Sequence, residues 1–81
     1  MLVTVRLFAR LREIAGAPDV KLDLPDEARV GDAWTVLAGK HPELKAYERS
    51  ISCAVNEDYA RMSAVLHDGD EVAFLPPVSG G

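Results

Sequence analysis

The groups that could carry chemistry in this chain are few: one cysteine, two histidines, a short acidic run and the carboxylate of a Gly-Gly ending. Cys53 invites a persulfide role, yet it falls in phase with Ile51 and Val55 along an alternating segment and reads as a small buried hydrophobe. His41, just before Pro42, reads as a helix-end residue near exposed carbonyls, and His67 as a strand-end residue; neither has the company of a catalytic base. Asp68, Asp70 and Glu71 lack the ligand spacing of a calcium loop and read as a tight acidic turn, with Asp70 or Glu71 open to a basic group on a partner. The sequence holds no local metal-ligand cluster, no phosphate-cradling glycine loop and no nucleophile, base and oxyanion set. The Gly81 carboxylate is what remains.

The residues before it support that choice. An apolar strand, Val72-Ala73-Phe74-Leu75, runs into Pro76 and Pro77, which cannot donate to a ladder. Val78, Ser79, Gly80 and Gly81 follow. Each proline fixes φ, and Pro77 biases Pro76 towards polyproline geometry, so the segment is expected to stay extended and hold the carboxylate away from the body. Glycines at 80 and 81 leave the reacting carbon without a side chain and let the backbone pass a narrow channel, with Ser79 the next smallest step. The expected organisation is a globular domain over residues 1–75 and a flexible tail over 76–81, the tail carrying the functional group and the domain serving as its handle.

Length and composition bound the rest. Eighty-one residues allow one domain and one modest core, burying about 60–65% of the unfolded surface, with no room for an enzyme-sized cleft. A net charge of −4 with nine scattered basic residues argues against nucleic acid, whose affinity rests on Lys and Arg neutralising phosphates. No charged leader precedes an apolar stretch and no run reaches membrane-spanning length, so neither export nor insertion is expected and the chain reads as cytoplasmic. One cysteine excludes an internal disulfide framework.

Positioning falls to alternating and helical segments. Val3, Val5 and Leu7 alternate against Leu2, Thr4, Arg6 and Phe8 in a first strand. Leu11, Ile14 and Ala15 mark a short helix over Ala9 to Ala15, stopped by Gly16 and Pro18. Val20, Leu22 and Leu24 form a second strand, antiparallel to the first. Val30, Ala33, Trp34, Leu37 and Ala38 give the main helix, Val30 to Lys40, an apolar stripe for one face of a sheet. Arg29 offers no acceptor as its N-cap, so Asp32 supplies the negative charge there, and Trp34 is expected to fill the core with its Nε1–H on an edge acceptor. Glu43 to Arg49 reads as irregular or a single turn. Ile51 to Val55 is a third strand, Asn56-Glu57-Asp58 a turn, Tyr59 to Met62 a short return strand, and Glu71 to Leu75 the last strand after a positive φ at Gly69. Helices on one face of a mixed four- to five-stranded sheet make an α+β fold. With the first and last strands side by side at its centre, it is a β-grasp roll.

The combination of Phe8-Ala9, Arg12-Glu13 and Gly16, then Ala54-Val55-Asn56, then Asp68-Gly69-Asp70-Glu71-Val72-Ala73-Phe74, and finally Pro76-Pro77-Val78-Ser79-Gly80-Gly81 resembles the small-subunit family of molybdopterin synthase over essentially the whole chain. That resemblance implies a ubiquitin-like β-grasp sulfur carrier related to the thiamine sulfur carrier. Its Gly81 carboxylate would be adenylated by an activating enzyme of the ubiquitin E1 type, using ATP and Mg there, and converted to a thiocarboxylate with sulfur from a donor protein. Inserted into the large synthase subunit, in a heterotetramer of two small and two large subunits, the tail would deliver sulfur to cyclic pyranopterin monophosphate to build the dithiolene. The chain would bind no cofactor or metal itself and would be a non-catalytic subunit of a sulfurtransferase complex. Activation as an acyl-adenylate answers a chemical need, because a carboxylate is a poor acyl donor. Thiamine-thiazole synthesis, transfer-RNA thiolation and ubiquitin-like protein modification use the same kind of tail and stay open; thiamine carriers tend to be shorter and to lack this Phe-x-Pro-Pro-Val approach.

By strand parity Phe8 and Leu75 fall on the face opposite Val5, Leu7, Val72 and Phe74, forming an apolar patch beside the tail root. The same resemblance places contacts to the large subunit and the activating enzyme on that face, with Arg10, Arg12 and Met62 at its rim. The family often has an aromatic residue where this chain has Leu75.

Overall fold

The computed structural model describes residues 1–77; Val78, Ser79, Gly80 and Gly81, the last four residues of the flexible tail expected over 76–81, lie outside the described residues. The elements are β1 (Leu2–Leu7), α1 (Ala9–Ala15), β2 (Asp19–Asp23), α2 (Val30–Lys40), a 3-10 helix (Pro42–Tyr47), β3 (Ser52–Val55), β4 (Asp58–Ala60) and β5 (Glu71–Leu75). The strands form one mixed sheet in the order β2-β1-β5-β3-β4. β1 and β5 pair in parallel at its centre, and the β1–β2, β3–β5 and β3–β4 ladders are antiparallel. This is the expected β-grasp arrangement, an α+β fold with five strands.

Period-two burial builds the sheet's inner face from Val3, Val5, Leu7, Leu22, Cys53, Val72 and Phe74. The α2 stripe of Val30, Ala33, Trp34, Leu37 and Ala38 is buried against it. Each large apolar side chain so enclosed contributes about 1.5–3 kcal/mol. Trp34 meets Phe74 edge to face, ring centroids 5.0 Å apart at 63°. Its indole nitrogen is buried without a hydrogen-bond partner, which corrects the expected edge acceptor: the helix stripe carries the whole indole into an apolar interior.

The start of α2 is held as its residues imply. The Asp32 carboxylate accepts the Arg29 N–H at 2.7 Å, and the next free amides of the first turn, Val30 and Gly31, donate to the carbonyls of Ala64 and Met62 at 3.0 and 2.8 Å. That demand explains why the fourth strand is shorter than Tyr59 to Met62. The chain leaves the ladder after Ala60 so that residues 62–64 can cap the helix. Pro42 opens a 3-10 helix, Pro42–Tyr47, longer than the irregular stretch or single turn expected over Glu43 to Arg49, and Leu44 within it is fully buried. His41 is the C-cap of α2, its N–H on the Leu37 carbonyl. His67 is not at a strand end but in the loop before β5, where its N–H donates to Asp70 at 2.8 Å. No helix among the described residues is long and apolar enough to cross a membrane.

Candidate functional site: the tail root and the outer sheet face

β5 is the strand that delivers the tail, and it is gripped on both sides. Leu7 pairs with Phe74 from β1, and Ser52 pairs with Leu75 from β3. Pro76 and Pro77 follow directly, outside any ladder. The loop that starts β5 is equally constrained. Gly69 sits at φ 87°, the Asp70 carboxylate accepts Asn56 Nδ2–H at 2.9 Å and the His67 N–H, and Asn56 Oδ1 accepts the Glu71 N–H at 3.0 Å. The bond from Asn56, then the backbone bond, hold the Asp70 pKa below the usual carboxylate value. The acidic run is thus a turn built on its own hydrogen bonds, as its spacing implied.

Phe8 and Leu75 share the outer face at the tail root. Phe8 is 38% exposed, with the Arg6 guanidinium 5.7 Å above its ring, and Arg6 reaches Glu71 at 3.5 Å. The chain reverses into α1 immediately afterwards through Ala9 at φ 51°. One register step inward lies a row that crosses four strands, Arg6, Ala73, Ala54 and Tyr59. Its two alanines form a flat apolar floor, and Tyr59 stands 84% exposed at the β4 edge. Sequence reasoning picked out Phe8 and Leu75 and missed Ala54, Ala73 and Tyr59. The available signal was parity, since these residues alternate with the buried Cys53 and Phe74.

The other singled-out residues are placed differently. Arg10, on α1, is paired with Glu13 at 3.1 Å and Glu43 at 3.8 Å, and its pKa is raised by the Glu13 bond first and Tyr47 second. Arg12 is exposed, and its carbonyl accepts the Gly16 N–H that closes α1 at φ 76°. Met62 is half-buried against the core, beside the start of α2. Cys53 is buried, its thiol facing the Ala60 carbonyl at 3.1 Å, and burial pushes its pKa up, so its thiolate is disfavoured. Among the described residues no group of three or more His, Cys, Asp or Glu could hold a metal ion.

The model of the ThiS family matches residues 5–81. This chain belongs to the ThiS family of ubiquitin-like β-grasp sulfur carriers. The molybdopterin synthase sulfur carrier subunit of Arabidopsis thaliana is 38% identical over 79 residues, covering 98% of this chain and 82% of that protein. The small archaeal modifier protein 1 of Haloferax volcanii is 39% identical over 85 residues, covering 94% and 97%, and its crystal structure superposes with a TM-score of 0.86 at 36% identity over the full length of both chains. The crystal structure of the BexX/CysO complex of Amycolatopsis orientalis matches with a TM-score of 0.78 at 27% identity, covering 98% of this chain and 99% of the matched one. The role that follows from membership is that of a sulfur carrier, and carriers of this kind are themselves non-catalytic.

Proposed function

We propose that this chain is the sulfur carrier of a molybdopterin synthase, with the Gly81 carboxylate as the carrying group and Pro76, Pro77, Val78, Ser79 and Gly80 as the segment inserted into the partner. One observation carries the reading: the family's central strand β5 runs straight into Pro-Pro-Val-Ser-Gly-Gly, an ending whose one charged group is the terminal carboxylate. An E1-like enzyme would let that carboxylate attack the α-phosphorus of ATP with loss of pyrophosphate. A donor-protein persulfide then displaces AMP at the acyl carbon, and a thiol cleaves the resulting S–S bond to leave the thiocarboxylate and a disulfide. In the large subunit the thiocarboxylate sulfur bonds to a carbon of cyclic pyranopterin monophosphate, and water hydrolyses the acyl–sulfur bond, leaving the sulfur on the pterin and Gly81 as a carboxylate. The outer face of Phe8, Leu75, Ala73, Ala54 and Tyr59 serves as the docking surface, with Arg10 and Arg12 on α1 and Met62 beside the start of α2 as further contacts away from that face. The cell compartment of this chemistry is the cytoplasm.

The experiment is a transfer assay. The Gly81 thiocarboxylate is mixed with a molybdopterin synthase large subunit and cyclic pyranopterin monophosphate, and dithiolene formation is followed with loss of thiocarboxylate by intact mass. The expected result is product formation that vanishes when Gly81 is deleted and slows sharply for Gly81→Ala, with folding intact. A thiocarboxylate that persists beside a demonstrably active large subunit overturns the assignment to this acceptor. The similarity to a protein named as a modifier, over 94% of this chain, favours one second reading, an isopeptide between Gly81 and a partner lysine. It would appear as covalent adducts on denaturing gels.

A further inference from the structure

A cavity of about 360 Å³ opens at the end of the sheet opposite the tail root. Topology fixes that position. Met1 precedes β1, β1 and β5 run in parallel, and Pro76 therefore leaves from the far end, about 17 Å away along the strands. Met1, Val65 and Leu66 give the cavity an apolar lining, and Asp26, Glu27, Asp68 and His67 complete it. Val65 remains 42% exposed there, a β-branched side chain left facing water in the loop that bridges back to Arg29.

Three carboxylates, Asp26, Glu27 and Asp68, stand in the lining. The nearest cation, the Met1 ammonium, is already committed to the Leu24 carbonyl at 2.7 Å and to Asp23 at 3.3 Å. Asp68 accepts the Leu2 N–H at 2.7 Å through one oxygen, leaving the other available. Arg29, bridged to Val65 beside this end, donates from its guanidinium to the Ser63 carbonyl at 2.8 Å, and Arg10, Arg12 and Arg61 lie on α1 and after β4 at the tail-root end. Among the described residues the acidic groups do not converge tightly enough to hold a metal ion. The lining therefore suits an organic cation with an apolar stem, which spreads its contacts over methylene and charge, better than a bare inorganic one.

We propose that this cavity receives a lysine side chain from a basic segment of a partner protein, the methylene stem lying on Met1, Val65 and Leu66 and the ammonium among Asp26, Glu27 and Asp68. Lysine fits because its charge is a compact point on a flexible stem and asks for no planar, bidentate acceptor. The site does not depend on the sulfur-carrier reading. Its distance from the tail root leaves it free while the tail is engaged, so one protein can hold the domain while another works on Gly81.

The test uses the isotopically labelled full chain and an end-blocked pentapeptide with a central lysine flanked by leucines, titrated by heteronuclear NMR. Saturable shifts are expected at the amides of Glu27 and residues 65–68. The norleucine-for-lysine peptide binds about tenfold more weakly, and so does the lysine peptide to Glu27→Lys or, separately, to Asp26→Lys, as loss of a charge partner requires. Tyr59→Ala, remote from the cavity, binds like the parent. Equal binding of the norleucine peptide, shifts scattered over the acidic surface, indifference to both charge reversals, or no saturable shift each overturns the proposal. An equal response to spermidine overturns it in favour of a free polyamine. Transfer activity is not read in this experiment, so its failure is separable from failure of the carrier reading.

Discussion

Trp34 holds an unusual position for an indole. It is fully enclosed, edge-on to Phe74, and its N–H meets no acceptor. An unpaired buried donor costs about 1–3 kcal/mol, so Trp34→Phe loses contact area while shedding that penalty. The expected destabilisation is below about 1.5 kcal/mol, against about 3–5 kcal/mol for Trp34→Ala, where a cavity opens in the core. Urea denaturation of the two variants checks the contrast. Cys53 makes a second test. Its thiol is buried and its pKa raised by burial, so the thiolate that alkylating agents need is scarce in the folded state. Iodoacetamide at mildly alkaline pH is expected to label the native chain more than about tenfold more slowly than the urea-unfolded chain. Comparable rates would reopen Cys53 as a sulfur-handling group.

Asn56 ties the β3–β4 turn to the beginning of β5. Its side chain bonds both the Asp70 carboxylate and the Glu71 amide, and its own backbone sits at φ 50°. Asn56→Gly tolerates that φ and removes the tie, at an expected cost of about 1 kcal/mol near neutral pH. The acid limb should change as well. Asp70 has a folded pKa below its unfolded value of 3.8, so its contribution is present above about pH 4 and is lost as pH falls through the folded pKa. In Asn56→Gly that loss shrinks, and the gap between the two proteins narrows below pH 4 in parallel thermal melts. The turn itself was legible in Asn56-Glu57-Asp58, as was α2 in its apolar stripe, because both are local patterns. Neither the latch on Asp70 nor the early end of β4 was, because each depends on a segment distant in sequence: the turn before β5 supplies the Asp70 acceptor for Asn56 and β5 the Glu71 N–H donor, and the first turn of α2 takes the carbonyls of Met62 and Ala64. Leu44 hid for a different reason: its partners at helical spacing, Tyr47 and Ile51, are interleaved with charged residues that masked the stripe on which it is fully buried.

At the scale of the molecule the sheet separates two tasks, with its inner face filled by the core and its outer face free. Parity in the sequence placed Phe8 and Leu75 on the outer side, but the row through Ala73, Ala54 and Tyr59 exists only once β4 lies beside β3 and β3 beside β5. Tyr59→Ala is expected to leave stability within about 0.5 kcal/mol of the parent, as exposed surface changes do, while weakening association with the proposed large-subunit partner about tenfold or more, as loss of an aromatic anchor does. Calorimetric unfolding and titration against the large subunit separate the two effects; equal weakening of both would place Tyr59 in the fold rather than in the interface. Finally, β5 lies between β1 and β3, bonded to each, and its C-terminal end continues into the segment that a partner would grasp. A pull on that segment along the strand loads both ladders in shear, so many hydrogen bonds resist together instead of opening one by one. The fold therefore resists tension applied along the strand at the root of its C-terminal segment.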